Sequence, residues 1–170
     1  MEQGKQALDG FMLATVEEDS HALEESDGHL GGLDSYVYKL DSSLESKIML
    51  EKLDSLITTK QPVFVTGIFN ANLEELLREA TREKNVVFFN PDNSGMWQSS
   101  KDSLGKLVNI YSRSLSVTMQ EISGYTPGPH AYRGYIAARL ISTAVRSLVE
   151  DPGDNISLTT EALIRAQKFR

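Results

Sequence analysis

Two short, uninterrupted apolar runs, Val63-Phe64-Val65-Thr66 and Val86-Val87-Phe88-Phe89, constrain this chain more than any other feature. Runs of strand length with no polar alternation belong where both faces of a sheet are covered, as in parallel strands flanked by helices. The segments around them carry the other period. Ala7, Phe11 and Ala14 recur at helical spacing over 3–18, flanked by Leu8 and Met12, with Glu17 and Glu18 outside. Ile48, Met49, Leu53 and Leu56 continue a helix that Ser42 and Glu45 open as a capping box. Asn72 and Glu75 give a second capping-box signal, ahead of a stripe of Leu73, Leu76, Leu77 and Ala80. A further strand is expected over Asp34–Leu40, after a turn marked by Gly28, Gly31 and Gly32. Helix and strand thus alternate three times. The fold class this implies is α/β: a three-layer sandwich with a short parallel sheet flanked by helices.

The second half reads differently. Leu104, Leu107, Val108, Tyr111, Leu115, Met119 and Ile122 predict a long amphipathic helix ending near Gly124. Tyr125-Thr126-Pro127-Gly128-Pro129 forces a loop, and a helix rich in small residues follows over 131–149. A last helix is expected over roughly 158–169. The chain is read as one domain of 170 residues: an alternating part over 1–95, a linker over 96–103, and helices over 104–170 that pack back.

Charge and composition exclude several functions. A net charge of −7 repels nucleic acid, so no nucleic-acid partner is expected. With no cysteine, disulfides, thiolate metal sites and thiol catalysis are ruled out. His21, His29 and His130 are scattered without metal-ligand spacing and read as surface or loop residues; no metal and no cofactor are expected. No G-x-S-x-G elbow occurs, and no glycine-rich phosphate loop follows a strand. Glu2-Gln3-Gly4-Lys5 leads directly into a helical pattern, so an exported protein would be present here in a mature or trimmed form.

Two loops remain as candidate sites, because open α/β sheets bind ligands beyond the carboxyl ends of their strands. One is Gly67-Ile68-Phe69-Asn70-Ala71-Asn72, which leads into a helix N-terminus whose amides could hold an anion. The other, Asn90-Pro91-Asp92-Asn93-Ser94, is rich in hydrogen-bonding groups. The competing reading makes both loops turns and caps, with Glu74 and Glu75 already complementing the helix dipole. Trp97 beside Met96 reads as a packing residue rather than a stacking platform, and Tyr132 and Tyr135 as structural.

Several fragments, in order, resemble type I periplasmic binding proteins of the branched-chain amino acid class, the solute receptors of ABC importers. Gly4–Ala14 is similar to that family's first helix, and Gly31–Asp41 to its glycine-led second strand. Val63–Gly67 is similar to the third strand, and Val86–Pro91 to the fourth with its proline. Pro129–Leu140 resembles a late helix with a G-Y-x-A-x-x-L pattern. The resemblance implies a lobe of that fold, a periplasmic or extracytoplasmic location, and ABC transporter membrane subunits as partners. It also implies a small polar solute, such as an amino acid or amide, held by Phe69, Asn70, Ala71, Asn72, Asp92, Asn93 and Ser94. Family members have two lobes closing on the ligand. Here the first strand and the second lobe, inserted after 90–95 in the family, have no counterpart. Asn70-Ala71-Asn72 also replaces the small hydroxyl residues that relatives use for an amino-acid carboxylate.

Three functions follow as expectations. The first is a single solute-binding lobe. The second is an interaction or sensory module that no longer binds ligand and forms a homodimer, since a gap in a sheet leaves unpaired backbone. The third, an enzyme on a flavodoxin-like sheet, has only Asp92 in the crevice and no partner for it. No catalytic residue is assigned and the chain is expected not to be an enzyme.

Overall fold

The computed structural model describes residues 2–19, 26–82, 84–90, 120 and 126–150. Their order is α1 (Glu2–Glu17), β1 (His29–Leu30), β2 (Leu33–Asp34), α2 (Ser46–Lys60), β3 (Phe64–Thr66), α3 (Ala71–Thr81), β4 (Val87–Phe89) and α4 (Pro129–Glu150). The expected helices over 104–122 and 158–169, the linker over 96–103 and Trp97 lie outside the described residues.

β3 and β4 pair in parallel, with Phe64 opposite Val87 and Thr66 opposite Phe89. Their side chains alternate between two helix layers, as strand geometry requires. Phe64, Val87 and Phe89 pack with Ile141 and Val145 of α4. Val65 and Phe88 pack with Met49 and Leu53 of α2 and with Leu73 and Leu77 of α3. Helices therefore cover both faces of a short parallel sheet, which is why its apolar runs are unbroken.

α1 and α4 run in the same direction and touch along their length: Gln6 meets Gly128, Gly10 meets Ala131, and Glu18 meets Ser142. At its closest points the contact is backbone on backbone. A Cβ on Gly10 would fall 1.9 Å from the Ala131 carbonyl oxygen, and one on Gly134 1.8 Å from that of Ala7. Leu13, Ala14, Ala131, Tyr135 and Ala138 fill the seam. Tyr135 confirms its structural reading, donating its hydroxyl proton to Glu17.

A polar node closes the end of this seam. The Glu18 carboxylate, only 9% exposed, accepts from Arg139 at 2.6 Å, from Ser142 Oγ at 2.6 Å and from the Gly31 N–H at 3.2 Å. Gly31 sits at φ +63° in the β1–β2 turn with α4 backbone 2.6 Å from where its Cβ would be. Only glycine meets both demands.

Four expectations change. Of the strand expected over 34–40, only Leu33–Asp34 joins a ladder, and that ladder is antiparallel with β1. Residues 35–41 run on without helix, turn or bend and pair with no described strand. The Ser42–Glu45 capping box does not form, because Asp41 captures the Ser43 N–H at 2.9 Å and its hydroxyl at 2.6 Å. Such local side-chain bonds compete with helix initiation. Those two bonds also hold the exposed Asp41 carboxyl below its ordinary pKa. α3 is capped by Asn70 rather than by Asn72, and Leu76 on its apolar stripe is 40% exposed. His29 is no surface residue: it is buried, with Nδ1 3.1 Å from Asp19 and Nε2 3.0 Å from Asp34.

The close seam makes a sharp prediction. Gly134→Ala and Gly10→Ala each force the helix backbones apart and cost about 3 kcal/mol, at the upper end of overpacking effects. Gly4, on the same helix, has nothing within 4 Å of its Cβ position. Gly4→Ala is therefore expected to stabilise by about 0.5–1 kcal/mol through helix propensity. Urea denaturation of the three variants checks both signs.

Candidate functional site

The parallel register places Gly67, after β3, next to Asn90, after β4. The two candidate loops thus leave the sheet side by side at its carboxyl end. Phe69 turns back onto the core, its ring centroid 5.5 Å from that of Phe88. Asn70, with φ −76° and ψ 162°, takes the extended backbone of an N-cap, and its side-chain oxygen accepts the Leu73 N–H at 2.9 Å. One of the amides offered to an anion is therefore already satisfied. Ala71 and Asn72 are exposed, and Asn90 is buried. Glu74, in the first turn of α3, is buried and accepts from Arg78 at 2.7 Å, which neutralises the acid nearest the loop. Asp92, Asn93 and Ser94 lie outside the described residues.

A cavity of about 660 Å³ opens between the two helix layers beside β3. One wall is formed by α1 and α4 through Ala7, Phe11, Ala137 and Ile141. The opposite wall is formed by α2 and α3 through Met49, Leu53, Leu73 and Leu77. Its two edges are residues 35–41, of which 36–41 pair with no described strand, and residues 62–69 around β3. Phe69 is the one residue of the first candidate loop beyond Ile68 that reaches the cavity. In the sequence, the unbroken apolar run at β3 is the signal for this space.

Charged groups line the cavity unevenly. Lys5, Lys39, Lys60 and Arg133 stand against Asp34 and Asp41, a positive excess in a chain whose net charge is −7. Lys60 lies over the Tyr38 ring at 5.6 Å and Lys5 pairs with Asp9 at 2.8 Å. Among the described residues, no group of three or more His, Cys, Asp or Glu is placed to hold a metal ion. Among them, no helix is long and apolar enough to cross a membrane. Thr66 Oγ1, at the end of β3, is shielded from solvent and makes no hydrogen bond.

No family model, curated protein or solved structure matches this chain.

The capping geometry separates scaffold from surface within the first loop. Asn70→Ala is expected to cost about 1 kcal/mol of stability, the ordinary worth of a lost N-cap. Asn72→Ala, at an exposed position, leaves stability unchanged. Thermal melts of the two variants distinguish the roles.

Proposed function

We propose that this chain is a solute-binding lobe of the type I periplasmic kind, working with the membrane subunits of an ABC importer outside the cytoplasm, and that it is not an enzyme. The observation that carries the reading is the β3–α3–β4 unit. Its parallel strands bring two polar loops to one end of a helix-covered sheet, the position where open α/β folds take ligands. The solute is a small polar molecule such as an amino acid or amide, contacted by Asn72, Asp92, Asn93 and Ser94, with Phe69 packed beneath them on Phe88. Asn70 and Ala71 shape that loop, with Asn70 spending its side chain on α3. A single lobe covers one side of a small molecule, so its affinity is millimolar, about 4 kcal/mol.

A second reading, a module that assembles with another copy and has lost its ligand, is favoured by one observation. The backbone of 36–41 and the outer edge of β3 pair with no described strand.

Differential scanning fluorimetry with a panel of amino acids and small amides, alongside light scattering, tests both. The first reading expects a monomer whose melting temperature rises with one compound class, an effect lost in Asp92→Ala. Nanomolar binding by the isolated monomer, or no response to any compound, overturns it. A dimer insensitive to every compound selects the second reading.

A further inference from the structure

The cavity has the form of a vacant strand position. Its two long edges are the extended residues 36–41 and the β3 segment, and its two faces are apolar helix surface. In the parallel ladder the Val87 N–H donates to the Val63 carbonyl at 2.8 Å. Evenly spaced parallel pairing then directs Val63 and Val65 toward β4. Phe64 and Thr66 turn their N–H and C=O groups the other way, toward the cavity. Across it, residues 36–41 make one backbone contact, from the Val37 N–H to Asp27 Oδ2 at 2.8 Å, apart from bonds closing the Asp41 turn. Among the described residues no hydrogen bond joins the two edges.

We propose that this slot accepts an extended, apolar β-strand from another polypeptide, inserted between β3 and 36–41 and flanked by acidic residues. The proposal stands apart from the solute reading, which concerns the loops at the sheet end. Each part of the occupant is specified by the slot. Two edges whose amides and carbonyls, Val37 N–H apart, find no strand partner among the described residues call for a main chain rather than a compact molecule, because main-chain hydrogen bonds give β-addition its affinity. Helices on both faces call for side chains that are apolar in both directions, not alternating. The stretch 63–67 sets a length of about five residues, roughly 17 Å at strand rise. The excess of lysine and arginine around the slot calls for acidic groups where the strand leaves it.

The probe is a short synthetic peptide of alternating valine and isoleucine with a glutamate at each end. It is titrated into the full chain by fluorescence anisotropy and followed by amide NMR. The expected result is one-to-one binding with the largest shifts at 36–40 and 63–67. A peptide N-methylated at alternate residues keeps the side chains and loses donors along one edge, so its affinity falls by about tenfold or more. Replacing the terminal glutamates by lysines, or substituting Lys39→Glu in the protein, weakens binding several-fold without changing the melting temperature. Equal binding of the methylated and unmethylated peptides would overturn the proposal, because apolar contact alone would then suffice. Absence of peptide binding together with a doubled mass would also overturn it, assigning the slot to a second copy of this chain.

Discussion

The approach of α1 to α4 sets the position of nearly everything else. Alanines and glycines dominate the seam, and burying a methyl group yields only about 0.8 kcal/mol. Its strength comes instead from closeness: backbone meets backbone at Gly10–Ala131 and Gly134–Ala7, and dispersion sums over many short contacts. The same α4 then offers Ile141 and Val145 to the sheet, so the placement of β3 and β4 is inherited from the helix seam. Loosening the seam would move the sheet, and with it the paired loop ends.

Glu18 makes that arrangement specific. Small-residue seams slide easily, because alanines resemble one another along a helix. A nearly buried carboxylate holding Arg139, Ser142 and the Gly31 N–H has one register in which all three bonds exist. It also ties the β1–β2 turn to α4, which explains why a ladder of only two residue pairs persists. Removing the carboxylate would leave Gly31 and Ser142 with each other at 3.0 Å, a weaker anchor than a charge-assisted one.

The elements legible in the sequence were those whose own residues decide them. The helices over 2–17 and 129–150 and the runs at 64–66 and 87–89 follow from periodicity and apolar continuity, and all four form near the expected bounds. What failed depended on competition or on partners. Asp41 outbid Ser42 for the backbone before α2, a contest that spacing alone does not rank. Asn70 outranked Asn72 because the chain leaves β3 in an extended conformation that places its side chain, not the later one, under the Leu73 amide. His29 looked like a loop residue, yet Asp34, its partner across the β1–β2 hairpin, and Asp19, just after α1, enclose it. The strand expected beyond Asp34 has suitable residues, but a strand needs a neighbour. Half of the first candidate loop proved to be scaffold for the same reason: Phe69 and Asn70 serve Phe88 and α3.

That missing neighbour explains a tension in the surface. Ser35 is buried, Tyr36 exposed, Val37 half-buried and Tyr38 exposed, so 35–38 already alternate as a sheet strand would. On the other side β3 keeps both faces covered and one edge open. An open edge of this kind invites pairing with any extended chain, and proteins usually blunt it with charge. Here Lys39 and Lys60 beside 36–41 and Lys5 and Arg133 on the α1–α4 wall outnumber Asp34 and Asp41. Placed there, they repel a basic strand and an uncapped copy of themselves while attracting an acidic one. The slot is therefore selective by electrostatics even though its interior is apolar. Its selectivity also differs in kind from that of the loops at the sheet end, which offer hydrogen bonds to a compact polar molecule. One short sheet can in this way present two chemically separate surfaces, one along its edge and one at its tip.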